Sequence, residues 1–193
     1  MKIYKNFNIS KHYQGSIILI GNFDGLHLGH QKLFKLANNY KKKFKLKIGV
    51  VTFEPMPKMF FEKKIKNFRI SSMNQKSQIL NNLGVDFVII KKFDKKFSNI
   101  KSGFFIKKIL HKKLKAKYIF VSSNFRYGNK REGDVKQLIK NQNIYNYKIV
   151  EPKPLTIKKR IVSSTLIRKL LEKSDLKKAN NLLNRNWSIE GKV

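Results

Sequence analysis

The chain has no cysteine among its 193 residues. That excludes disulfides, thiol nucleophiles and thiolate-bound metals, and it agrees with a reducing compartment. Only four histidines are present, His12, His27, His30 and His111, so a zinc centre would have to be assembled from few imidazoles and no thiolate. No apolar run approaches the roughly 20 residues a membrane-spanning helix needs, and the opening MKIYKNFNISKHYQG lacks the apolar core of a secretory signal. These absences point to the cytoplasm and to no membrane partner. Neither GxGxxG nor GxxxxGKS occurs, so both common phosphate-loop signatures are missing.

Acidic residues are scarce: 11 Asp and Glu stand against 44 Lys and Arg, a formal charge of +33. Taken alone, that charge suggests nucleic acid or an anionic surface. The excess is lysine rather than arginine, however, and it is spread over the whole chain together with many Asn, Ile, Phe and Tyr, as A/T-rich coding would produce. Runs such as KKKFKLK at 41–47 and KKFDKKF at 91–97 read as solvated surface, and no specific nucleic-acid partner is expected. Anionic small molecules would still be drawn in faster at low salt. The length and a 41% hydrophobic content fit one domain, or a domain with a small appendage, around a sizeable core.

Residues 16–40, SIILIGNFDGLHLGHQKLFKLANNY, organise the rest. Ile17, Ile18, Leu19 and Ile20 form a short, β-branched apolar run, which reads as a strand buried on both faces of a parallel sheet. The run ends at Gly21. A turn containing Asp24, Gly25 and Gly29 follows, and Leu26, Leu33, Ala37, Tyr40 and Phe44 then recur at helical spacing. This order puts His27 in the turn and His30 in the first helical turn, where unpaired amides and the positive end of the helix dipole attract an anion. The same pair could instead serve as a helix cap or ligate a metal.

Downstream, strands are expected at 46–57, 85–90, 117–123 and 144–151. Helices are expected from a Ser71 or Ser72 cap to Gly84, from Ser102 onward, over 132–142, and from a Ser163–Thr165 cap onward. Residues 1–15 read as a lead-in with at most a short strand or turn, and 58–70 give no assignment. The alternation predicts an α/β fold: a parallel sheet of about five strands, helices on both faces, and a ligand beyond the carboxyl ends of the strands. Three loops fall at that edge, at 21–30, 52–57 and 123–131. The third carries the guanidiniums, aromatics and amide of NFRYGNKR, groups suited to stacking on a flat ring and holding phosphate. The cap at Ser163, Ser164 and Thr165 offers amides and hydroxyls to phosphate oxygens, with Arg168 one turn on able to fork onto the same anion.

Taken together, GNFDGLHLGH, TFEPMP, NFRYGNKREGD and VSSTLIRKLL resemble the adenylyltransferase module of the bacterial bifunctional FAD synthetases, the riboflavin kinase/FMN adenylyltransferases. The similarity runs through nearly the whole chain, to the ending NNLLNRNWSIEGKV. It implies a Rossmann-like nucleotidyltransferase domain over residues 1–186 that transfers AMP from ATP to FMN with Mg2+. Gly21, Asn22, Phe23, Asp24 and Gly29 would line the ATP site, and His27 and His30 would stabilise charge on the α-phosphate. Ser163, Ser164, Thr165 and Arg168 would hold the departing phosphates, and Arg126 would belong to a loop closing over the nucleotide. Pro55, Pro57 and Asn124 would lie near the flavin. No residue is assigned to the metal, which would be held mainly by ATP phosphates and water.

Some positions depart from the family pattern. Met56 stands where His is usual between the prolines, Ser122 where Gly is common, and Lys173–Ser174 where Gly often precedes Asp175; Asn184 and Asn186 flank Arg185 in place of Gly and Pro. Residues 187–193 would begin a linker to a riboflavin kinase domain. No kinase activity is expected of this chain, which leaves a riboflavin kinase domain or protein as an implied partner. Two other readings stay open: another phosphorylated acceptor for the same chemistry, and a basic RNA-binding module.

Overall fold

A computed structural model describes residues 1–62, 64–65 and 68–191. In chain order it contains β1 (Lys2–Tyr4), a 3-10 turn (Lys11–Tyr13), β2 (Ile17–Ile20), α1 (Leu28–Phe44), β3 (Ile48–Glu54), α2 (Pro57–Phe61), α3 (Met73–Asn82) and β4 (Phe87–Lys92). Next come α4 (Lys95–Ser98) and α5 (Ser102–Phe104), which runs on as a wider π-type helix over Phe105–Lys113, then β5 (Tyr118–Phe120). A small loop ladder of β6 (Arg126–Tyr127) and β7 (Gly133–Asp134) encloses a 3-10 turn. The chain finishes with α6 (Val135–Tyr145), β8 (Lys148–Val150), the hairpin β9 (Thr156–Ile157) and β10 (Arg160–Ile161), α7 (Ser164–Glu172) and α8 (Leu176–Leu183).

Six strands form one parallel sheet in the order β1-β4-β3-β2-β5-β8. The sixth, beyond the five expected, is β1, which adds to the edge of β4. Period-two alternation divides the strand residues between two cores. Ile18, Ile20, Val51, Phe53, Phe87 and Ile89 pack against Phe105, Ile106, Ile109 and Leu138 on one face. Ile17, Leu19, Ile48, Val50, Val88 and Ile90 pack against Phe34, Ala37 and Leu80 on the other. This two-sided burial explains why β2 to β4 read as continuous apolar runs.

Several boundaries differ from the sequence expectation, each for a local reason. The second strand stops at Glu54 because Pro57 takes the first position of α2, where its missing N–H costs nothing. The helix expected from 132 begins at Val135, because Gly133–Asp134 is used in the ladder with Arg126–Tyr127 and the Asp134 carboxylate caps the helix by accepting from the Gln137 amide at 2.8 Å. In α1 the buried side chains are Phe34 and Ala37, whereas Phe44 at the far end is 40% exposed and stacks on Tyr118. The cap at Ser72 is realised in full as a capping box with Gln75. Within 58–70, residues 63, 66 and 67 lie outside the described residues, as do the last two residues of the 187–193 linker.

A third, smaller core of Ile70, Ile167, Ala179 and Leu183, flanked by Trp187, docks α7 and α8 beside the start of α3. Trp187 Nε1 donates to the Ile70 carbonyl at 2.9 Å. Sequence-distant helices are thereby delivered to the carboxyl end of β2. From there the chain goes to β3 and β4 on one side and returns to β5 and β8 on the other, so the sheet order reverses at this point.

Candidate active site

Beyond Ile20 the chain turns sharply. Phe23 adopts a left-handed backbone (φ 47°), and its buried ring lies edge-on to His30 at 5.3 Å and against Phe34. Among the described residues, none of the backbone N–H groups of Asn22 to Gly29 donates to a protein acceptor. His27 is the N-cap of α1: its Nδ1 accepts from the His30 amide at 3.4 Å. That bond puts the ring proton on Nε2, making Nε2 a donor. The two imidazoles stack, with centroids 3.7 Å apart and planes 19° from parallel.

Burial, followed by the nearby Arg168 and Arg185 guanidiniums, lowers His27 from its ordinary 6.5 to about 4. Burial also holds His30 well below its ordinary value, and the charges at His27 and Lys76 act in the same direction. Both rings are therefore neutral hydrogen-bonding groups at pH 7. The Nδ1 of His30 is buried without a partner.

The downstream cap meets this turn directly. Ser164 Oγ donates to the Asp24 carbonyl at 2.8 Å, across 140 residues. Gly29 lies so close to the Val162 carbonyl that a Cβ would stand 3.2 Å from that oxygen and 3.1 Å from His27 Nδ1. Arg168 donates from Nε to the Phe68 carbonyl at 2.8 Å and from Nη2 to Asp24 Oδ2 at 2.5 Å, and its guanidinium lies 3.7 Å over the Phe68 ring. Asp24 is 2% exposed and also accepts from the Ile70 and Ser71 amides. Its carboxylate is therefore committed to Arg168 and the 70–71 backbone. Ser163 Oγ caps α7 by accepting from the Leu166 amide at 3.2 Å, and Thr165 is exposed.

Other expected residues lie on neighbouring loops of the same edge. Gly21 sits under the Phe23 ring, and Asn22 is exposed except for its carbonyl, which accepts from Lys76 and Thr52. Pro55 and Pro57 are half-buried around Met56, whose side chain is 1% exposed and so turns into the protein. Asn124 accepts from the Ser122 hydroxyl, and Arg126 pairs with Asp134 at 3.2 Å. In this structure, among the described residues, no hydrogen bond ties Asn124 or Arg126 to the histidines or to α7.

Sequence reasoning did not single out Lys76, Glu54, Arg69 or Arg185. Lys76 is buried on α3, and Glu54 pairs with Arg69 through one oxygen while the other is buried without a partner. Arg185 donates to Ser71 Oγ at 3.1 Å. For Lys76 a signal did exist: it lies on the apolar stripe of Met73 and Leu80, where a solvated lysine does not belong.

Comparison with known proteins places the chain in a family. The family model described as FAD synthetase matches residues 9–166. The chain belongs to the FAD synthetase family. Among curated relatives of this family member, a protein from Buchnera aphidicola subsp. Acyrthosiphon pisum named bifunctional riboflavin kinase/FMN adenylyltransferase is 38% identical, over 100% of this chain and 62% of its own length. One of the same name from Escherichia coli is 33% identical over 93% of this chain and 58% of its own length. The chain thus spans about three fifths of these relatives. A crystal structure described as a macrolide-efflux protein from Streptococcus pneumoniae superposes with a TM-score of 0.78 at 28% identity, over 90% of this chain and 66% of that one. Among the described residues of this chain, no helix is long and apolar enough to cross a membrane.

Proposed function

We propose that residues 1–186 form an FMN adenylyltransferase domain that transfers AMP from ATP to the phosphate of FMN, giving FAD and pyrophosphate, in the cytoplasm. The observation that carries this reading is the meeting of two helix N-termini, two neutral histidines and Arg168 around one turn, a site suited to a polyphosphate. The names of the relatives supply the acceptor.

An FMN phosphate oxygen attacks the α-phosphorus in line; the new P–O bond forms as the bond to the β-bridging oxygen breaks, and pyrophosphate departs. The FMN phosphate is already anionic, so no general base is required, and catalysis is positioning plus charge stabilisation. His27 Nε2–H and His30 face the charge that grows on the α-phosphate. The Ser163–Thr165 end of α7, with the amino group of Arg168 not bound to Asp24, holds the β- and γ-phosphates. Arg126 and Asn124 reach their roles by movement of the loop after β5; Pro55 and Pro57 bound the flavin side.

The side chains here do not fit a resident magnesium. No group of three or more potential ligands is placed to hold a metal among the described residues, and Asp24 is taken by Arg168. Magnesium enters this reading only as the counter-ion that ATP brings. Residues 187–193 begin the linker toward the riboflavin kinase half for which the relatives are named.

The test is direct: purified protein with ATP, magnesium and FMN should release FAD and pyrophosphate in equal amounts, and riboflavin in place of FMN should yield neither FMN nor FAD. Pyrophosphate release with a different phosphorylated acceptor, and none with FMN, would replace this reading.

A further inference from the structure

Lys76 projects from α3 into the space beneath the Gly21–His30 turn and is 2% exposed. Its Nζ donates to the Asn22 carbonyl at 2.9 Å, the same oxygen that accepts from Thr52 Oγ1 at 3.2 Å. Among the described residues no carboxylate lies within ion-pair distance of it. A buried ammonium resting only on a carbonyl is expensive, because neither water nor a counter-ion repays its lost hydration.

The charges around it sharpen the point. Asp24 and Glu54 favour its charge and Arg69 opposes it, but Asp24 already pairs with Arg168 and Glu54 with Arg69. Four cations, Lys76, Arg69, Arg168 and Arg185, thus surround this turn against two carboxylates, while both histidines are neutral. The surplus is positive, and its Lys76 member is shut away from water, whereas Arg69 is exposed. The peptide group adds a direction. Its C=O and N–H point opposite ways, so with the Asn22 carbonyl drawn inward by Lys76 and Thr52, the Phe23 N–H faces away from them and has no protein acceptor among the described residues.

We infer that Lys76 is a positioning residue for the nucleoside triphosphate: from behind the turn it fixes the Asn22 peptide so that the Phe23 amide faces the phosphates, and the bound phosphates supply its missing counter-charge. This rests on the adenylyltransferase reading for the identity of the nucleotide. Burial lowers Lys76 from its ordinary 10.5. An anion nearby favours the ammonium, so ATP affinity should be complete below the lowered value and decline as pH rises through it. The groups facing Lys76 are Asp24 and His30 of the turn and first helix, Glu54 of β3 and Arg69 before α3.

The experiment measures the ATP dissociation constant by titration calorimetry without FMN, from pH 7 to 10, for the wild type, Lys76→Arg and Lys76→Met. Lys76→Met should weaken ATP roughly 10- to 100-fold and leave the KM for FMN unchanged. The wild type should lose ATP affinity at the alkaline end, and Lys76→Arg, which stays charged, should not. An ATP affinity in Lys76→Met equal to that of the wild type overturns the inference, as do superimposable alkaline profiles for wild type and Lys76→Arg. If Lys76→Met does not fold, those two profiles decide alone. Failure of the wild type to make FAD would instead strike the proposed reaction and leave the ATP titrations as an independent test.

Discussion

The carboxylate of Asp24 and the guanidinium of Arg168 meet at 2.5 Å although 144 residues separate them. Asp24 is 2% exposed, and the Arg168 side chain only 17%. Removing one partner strands the other where water screens it poorly. Asp24→Asn should therefore cost about 3 kcal/mol of stability, seen as a fall of roughly 10 °C in Tm. An unchanged melting temperature would show that the pair is replaceable.

His30 is expected to act on the reaction more than on the fold. Its Nδ1 has no partner in the protein, so truncation removes no buried hydrogen bond at that atom. By the measure of one lost donor to developing charge, His30→Ala should lower kcat roughly 100-fold, with ATP affinity much less affected. Steady-state kinetics of FAD formation checks both, and near-normal kcat would remove the role.

Gly29→Ala is a sterically defined test of the junction between the two motifs. Alanine suits a helix, but its Cβ would press on the Val162 carbonyl at 3.2 Å and on the His27 ring. A backbone carbonyl cannot swing aside, so the α1 terminus must move away from the segment leading into α7. ATP binding should weaken about 10-fold, an order-of-magnitude expectation for losing one or two oriented charge-assisted contacts. Calorimetric titration with ATP, beside circular dichroism to confirm the fold, gives the answer.

Stability should fall in acid because of His27. Its value is 6.5 unfolded and about 4 folded, so between these limits the unfolded chain binds more protons. The contribution is complete above about pH 6.5 and drains away as pH drops toward 4, for a total of roughly 3 kcal/mol. His27→Asn keeps a side-chain acceptor at the N-cap and removes the titration. Denaturant unfolding at a series of pH values should show a shallower acid limb for that variant than for the wild type.

Much of this architecture could be read from the residues. The Ile17–Ile20 run, the glycine turn and the helix at 28–44 were plain because burial on both faces of β2 leaves no polar position to confuse the pattern. Capped helix starts at Ser71 or Ser72 and within Ser163–Thr165 were also legible, since a hydroxyl before an apolar periodic stretch has few other uses; the backbone selects Ser72 and Ser163. β1 was harder: Lys2 and Ile3 are exposed, and three residues carry no usable period. Pro57 read as part of a stiff rim ending the strand, and only the backbone shows that it opens a short helix. The loci around Ser164, Arg168, His27 and His30 were legible one by one. That Asp24 would be spent on Arg168, and that Lys76 would lie beneath the turn, depends on partners from 46 to 144 residues away, which local pattern does not encode.

The docking of α7 onto the β2–α1 turn also sets an order of events at the ribosome. The sheet's first strands can pair and bury their apolar faces while later segments are still inside the exit tunnel. The turn, however, has only the Ile70 and Ser71 amides on its Asp24 carboxylate, with no counter-charge, until Arg168 emerges. The phosphate cradle proposed above is thus completed only by late-made residues, and a polypeptide released before that point would lack both the Ser164 and Arg168 contacts that close the turn and the small core formed by α7 and α8.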